Sequence, residues 1–109
     1  MTVGPGGAAL SDHMIIGILQ VELTIDGAES LKDKRRVVRS IKDRLHREHQ
    51  VSVAEVAAQD NHTIARLGIV LAGSDMPKTQ STLDRIVDKL QHARDCVLSD
   101  HRCEIMHSN

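Results

Sequence analysis

Twice along this 109-residue chain an apolar alternation of period two gives way to apolar spacing of period 3.6. That switch constrains the fold more than any other feature, because it sets the order of the elements. Residues 14–25, MIIGILQVELTI, alternate from Leu19 onward, with Leu19, Val21, Leu23 and Ile25 set against Gln20, Glu22 and Thr24. Asp26-Gly27 turns the chain. Ser30 suits a helix N-cap, and Asp33 three residues on completes the pattern of a capping box. Leu31, Val38, Ile41 and Leu45 then recur at helical spacing as far as about residue 48. Residues 51–58 (VSVAEVAA) predict a second strand, with either face eligible for burial. After the turn at Asp60-Asn61, residues 65–72 predict a third, with Leu67, Ile69 and Leu71 on one side and Arg66, Gly68 and Val70 on the other. Gly73-Ser74-Asp75 breaks the strand. Ser74 or Asp75 caps a second helix, with Pro77 in its first turn and Thr79, Leu83, Ile86, Val87, Leu90 and Ala93 as its stripe. A last strand lies within residues 97–106, with Cys103 and Ile105 at core positions.

The resulting order is βαββαβ. Right-handed crossovers put both helices on one face of a four-stranded antiparallel sheet of order 4-1-3-2, an α+β fold of ferredoxin-like type. One domain, residues 14–109, accounts for the chain, and residues 1–13 predict a flexible tail. The tail lacks a charged start and a long apolar run, and no segment is apolar for the length of a membrane span. The expectation is a cytoplasmic protein with no membrane partner. Cys96 and Cys103 form no paired framework and are expected as free thiols. The chain has no Phe, Tyr or Trp. Its core is aliphatic, and it lacks the aromatic platforms on which single-stranded bases stack.

Three stretches, MIIGILQVEL, ESLKDKRRVVRSIKDRL and VSVAEVAAQD, also resemble the YlxP-like bacterial family, the domain of unknown function 503. The most specific piece is Ser30-Leu31-Lys32-Asp33-Lys34-Arg35, and the likeness runs over about residues 14–106. Family members generally begin at the position of Met14, so residues 1–13 read as an extension or a start-site choice. The resemblance implies the ferredoxin-like fold and no established activity. Genes of that family lie among those for transcription and translation factors, which inclines the expectation toward RNA. Relatives often carry an aromatic after the QD of the second strand, where this chain has Asn61-His62.

Charge is distributed unevenly. Residues 32–47 hold eight of the 14 Lys and Arg against two acids, a net +6 in a chain whose total is −1, which leaves −7 elsewhere. Such asymmetry points to a polyanionic partner. Helix N-termini favour anions, yet here the first turns carry cations, each costing roughly 0.3–1 kcal/mol against the dipole. A local rule broken without gain to the fold marks a candidate site. Lys32, Lys34, Arg35, Arg36 and Arg39 are therefore the candidate phosphate-binding residues. The plain alternative is a solvated face whose charges pair with Glu29, Asp33 and Asp43. Lys34 falls on the apolar stripe and must either snorkel past the sheet end or meet a partner, with snorkelling expected.

Other groupings are weaker. The His46-x-x-His49 spacing and the group His92, Cys96, His101, Cys103 and His107 lack the tight pairs of a zinc site, so no metal is expected. Gly4-Pro5-Gly6-Gly7 is not a strand-to-helix phosphate loop, and Asp60-Asn61-His62 reads as a polar hairpin turn rather than a reaction site. No catalytic residue and no cofactor are assigned. Alternation also turns Ile16, Ile18 and Val70 toward the face away from the helices, an apolar surface that invites a second copy of the chain. The sequence thus supports a non-enzymatic RNA- or ribosome-associated module working through the first helix. The alternatives are a homodimerising interaction domain and, further off, a small hydrolase or metal sensor.

Overall fold

The computed structural model describes residues 13–108. The expectations of a flexible tail and of a glycine-rich stretch within it fall almost wholly on residues 1–12, outside the described residues. Strand β1 spans Met14–Thr24, helix α1 Leu31–His49, β2 Ser52–Ala57, β3 Ile64–Gly73, α2 Met76–Gln91 and β4 Val97–Ser108. The sheet order is β2-β3-β1-β4 with every neighbouring pair antiparallel, the expected order seen from the opposite edge.

The core lies between the sheet and the two helices. Leu19, Val21 and Leu23 of β1 and Ala65, Leu67 and Ile69 of β3 meet Val38, Ile41 and Leu45 of α1 and Leu83, Ile86 and Leu90 of α2 in one buried cluster. The odd positions of β1 therefore face the helices, as its alternation requires. Gly17 lets α2 approach, because a Cβ there would lie 2.9 Å from the Thr79 methyl. Thr79 is itself buried, and its hydroxyl donates to the Asp75 carbonyl at 2.9 Å. Asp75, not Ser74, is the N-cap of α2, accepting from the Lys78 N–H at 2.9 Å.

The ambiguous second strand resolves in an unexpected way. Val53 pairs with Ile69 and Glu55 with Leu67, so a valine and a carboxylate face the helices. A bulge at Val56 then shifts the register. Val56 turns to the open face, lies over Gly68 and is half exposed.

The core position assigned to Cys103 is corrected. Cys103 is exposed and Cys96 is the buried cysteine. Cys103 pairs with Leu19 and does face the helix side, but β4 is an edge strand and the overlying group from α2 is the polar Gln80, whose Nε2 lies 3.8 Å from the sulfur. Burial pushes the Cys96 thiol pKa up, and the neighbouring Asp95 adds to the effect.

On the open face, Ile16 sits between Met106 of β4 and Ala72 of β3, and Ile18 sits between Glu104 and Val70. Further along, Gln20 is flanked by Arg102 and Gly68, and Glu22 by Asp100 and Arg66. One end of this face is apolar and the other charged, with Arg66 donating to Glu22 at 3.0 Å. Ile16 and Ile18 are half buried and Val70 is 43% exposed, on the side expected for them. Among the described residues, no helix is long and apolar enough to cross a membrane.

Candidate nucleic-acid interface

Helix α1 begins with a reciprocal cap. The Asp33 N–H donates to Ser30 Oγ at 3.1 Å, and the Asp33 carboxylate accepts from the Glu29 N–H at 3.0 Å. The acid nearest the cationic first turns is thus committed to the backbone. At the other end Gln50 adopts a left-handed conformation (φ 55°), and its N–H donates to the His46 carbonyl at 2.9 Å.

Between these caps Val38, Ile41 and Leu45 are buried, while Lys32, Arg35, Arg36 and Arg39 are exposed. The four cations follow i, i+3, i+4, i+7 spacing, which holds them on one stripe. Along the same surface Ser40, Asp43, Arg44 and Arg47 extend a shallow concave strip. At 1.5 Å per residue, positions 32 to 47 cover about 22 Å. The described ion pairs are Lys34–Glu55, Arg66–Glu22, Lys89–Glu48 and His92–Asp88. Among the described residues, no acid neutralises Lys32, Arg35, Arg36 or Arg39. Among the described residues, no ion pair joins these cations to Glu29, Asp33 or Asp43.

Lys34 is the correction within the candidate set. Its side chain is 1% exposed and does not snorkel. The ammonium donates to the carbonyls of Ala58 at 2.7 Å and Asn61 at 2.6 Å. Glu55 Oε2 lies 2.7 Å away, as a charge contact rather than an aligned hydrogen bond. A buried ammonium needs this provision, since an unpaired one costs several kcal/mol. Ala58 is left-handed (φ 62°), a conformation that costs a non-glycine residue about 1–2 kcal/mol, and the Lys34 bond to its carbonyl offsets part of that. Lys34 therefore ties α1 to the β2–β3 loop and is not available to a phosphate at the surface. Glu55 was missed as its partner. The signal was an acid in an otherwise small, apolar strand, together with a cation on an apolar helix stripe.

Several of the other polar groups are taken up by structure. Asn61 Oδ1 accepts from the N–H groups of Thr63 and Ile64 at 2.9 and 3.1 Å and from the Thr63 hydroxyl at 3.0 Å, which makes the Asp60-Asn61-His62 segment a tied turn. His46 Nδ1 contacts the Val51 carbonyl at 3.0 Å. Where the helices meet, the Lys89 ammonium contacts both Glu48 and His49. Desolvation, and then the Lys89 charge, hold the His49 pKa below its ordinary value, while the hydrogen bond from Lys89 lowers that of Glu48. Among the described residues, no three His, Cys, Asp or Glu side chains gather as a metal would require.

Comparison with known proteins adds a family and no activity. The chain is 33% identical over 73 residues to the uncharacterized protein YlxP of Bacillus subtilis (strain 168), a stretch that covers 67% of this chain and 79% of that one. The model of the DUF503 family, described as a protein of unknown function, matches residues 16–103, which include the whole of α1 and every candidate cation. With the expected strand order also in place, the chain belongs to the DUF503 family.

Proposed function

We propose that this domain is a non-enzymatic binding module for structured RNA, with ribosomal RNA as the favoured class, and that the exposed face of α1 is its contact surface. The observation that carries the reading is the stripe of Lys32, Arg35, Arg36 and Arg39, four exposed cations that form no ion pair among the described residues. A stripe of this kind suits backbone phosphates, which set position without specifying sequence. With no aromatic side chain to receive an unstacked base, recognition goes to the shape and backbone of a folded RNA. Sedimentation of a cell lysate on a sucrose gradient tests the proposal. The protein is expected to travel with a ribosomal subunit at low salt and to leave it as salt rises. A protein that stays at the top of the gradient even at low salt contradicts it.

A second reading is supported by the apolar end of the open face, where Ile16, Ile18, Val70, Ala72 and Met106 adjoin. In that reading the domain is an interaction module that pairs with a second copy through the sheet face. Ile18→Glu then shifts the protein toward monomer with the fold intact, and light scattering reads the change.

A further inference from the structure

The two edges of the sheet are built differently. β2 is six residues long and carries a bulge at Val56, a common way of blunting an edge. β4 is twelve residues long and, among the described residues, has β1 as its one neighbour. Its irregularity is confined to one end, where Ser99 is the extra residue between Leu98, paired with Leu23, and Asp100, paired with Glu22. From Asp100 onward the pairing with β1 runs without interruption. The strand contains no proline and no lysine, two residues that commonly guard an edge.

The side chains on this edge carry a pattern. Asp100, Arg102 and Glu104 follow one another on the open face, opposite Glu22, Gln20 and Ile18 of β1. Neither Arg102 nor Glu104 has an ion-pair partner among the described residues. Charges on an edge usually discourage pairing, but this order of signs is complementary to itself when the strand is reversed. An antiparallel copy related by a two-fold axis at residue 103 sets Arg102 opposite Glu104 of the second copy, and Glu104 opposite its Arg102. An axis at residue 102 or 104 instead brings like charges face to face. An axis at residue 101 pairs Asp100 with Arg102 but draws the bulged Ser99 into the ladder. The register centred on Cys103 alone joins opposite charges within the regular segment 100–106.

We infer that the β4 edge is a homodimerisation surface on which two copies join antiparallel about Cys103, extending the four-stranded sheet to eight strands. The edge supplies backbone hydrogen bonds, as in strand addition generally, and the Arg102–Glu104 pairs set the register. This surface is distinct from the outer face of α1, and it is the strand edge beside the apolar end of the open face, where Glu104 flanks Ile18.

The test is a charge exchange read by sedimentation equilibrium over a concentration series. Wild type is expected to show a monomer–dimer equilibrium. Arg102→Glu and Glu104→Arg each set like charges opposite one another at two symmetry-related places and should raise the dissociation constant about tenfold or more. The double variant Arg102→Glu/Glu104→Arg restores opposite charges and should recover dimerisation, which also shows that neither single change acts by unfolding the chain. Facing residues of an antiparallel pair have Cα atoms about 4.5–5.5 Å apart, within the range a disulfide spans. Treatment with diamide, which takes up the two protons and two electrons released by two thiols, should therefore yield a covalent dimer that Cys103→Ser abolishes and Cys96→Ser does not. A monomeric wild type at every concentration overturns the inference. So does a dimer indifferent to the single reversals, one not recovered by the double variant, or one that diamide does not link through Cys103.

Discussion

Helices α1 and α2 lie on the same face of the same sheet, and the aliphatic stripes on their inner surfaces are close to interchangeable. Each buries an aliphatic stripe, Val38, Ile41 and Leu45 in one and Leu83, Ile86 and Leu90 in the other, and each starts with a side-chain cap, Ser30 or Asp75. Their outer surfaces differ. Apart from the buried Lys34, α1 holds seven cations against three acids, and α2 three against two, interspersed with Gln80, Ser81 and Gln91. Since packing asks the same of both helices, packing does not account for the difference. It lies on surfaces that the fold leaves free, which is where a function carried by charge can be written without disturbing the core.

If the inner stripes are equivalent, truncation should not tell the helices apart. Leu45→Ala and Leu90→Ala, both at fully buried positions, should each cost about 3–5 kcal/mol in denaturant unfolding. A cost at Leu45 far below that at Leu90 would mean that α1 is held mainly by something other than its stripe.

The buried cation of α1 has no counterpart among the buried residues of α2, where Thr79 is the polar member. Lys34→Ala removes the partner of two carbonyls and strands Glu55, at a cost of about 2–3 kcal/mol. The figure falls short of a fully buried pair because Glu55 keeps 21% of its side chain in solvent. Amide exchange in the β2–β3 loop should quicken in that variant, and an unchanged loop would contradict the tie assigned to Lys34.

The smallest effect is at the seam where Glu48 and His49 of α1 meet Lys89 of α2. The folded pKa of His49 lies below the unfolded value near 6.5, so below that pH the unfolded chain binds more protons than the native one. Stability should therefore fall as pH drops through about 6.5 and level off below the folded pKa. Unfolding midpoints of wild type and His49→Gln over that window isolate the contribution, which the variant should lack.

The contrast between the helices also shows what can be read ahead of a structure. The alternation of β1, both helical stripes and the Ser30–Asp33 box depend on neighbours at most a few residues apart, and all were legible. The outward direction of Lys32, Arg35, Arg36 and Arg39 follows from helical angle alone. The fate of Lys34 does not, because its acceptors lie 24 and 27 residues further along, in a loop whose carbonyls carry no sequence signature. β2 was ambiguous because its residues are small and because the inward positions are shared by Val53 and the charged Glu55, while Val56 is on the open face. The position of Cys103 was half legible. Its face was right, but edge exposure depends on what overlies the strand, and that is a polar glutamine from α2.

The account rests on the outer face of α1 binding RNA phosphates where the outer face of α2 does not. Filter binding to ribosomal RNA over a range of salt concentrations tests this with three proteins: wild type, Arg36→Glu/Arg39→Glu, and Lys78→Glu/Arg85→Glu on α2. All three should fold with nearly equal stability, since exposed surface substitutions usually change it by about 0.5 kcal/mol or less. With three or four phosphates neutralised, wild type should lose affinity with a log–log salt slope of roughly −2 to −4 and show slight preference among sequences. The α1 reversal should abolish binding, and the α2 reversal should leave most of it. No binding by wild type at low salt, or equal loss from the two reversals, would contradict the account.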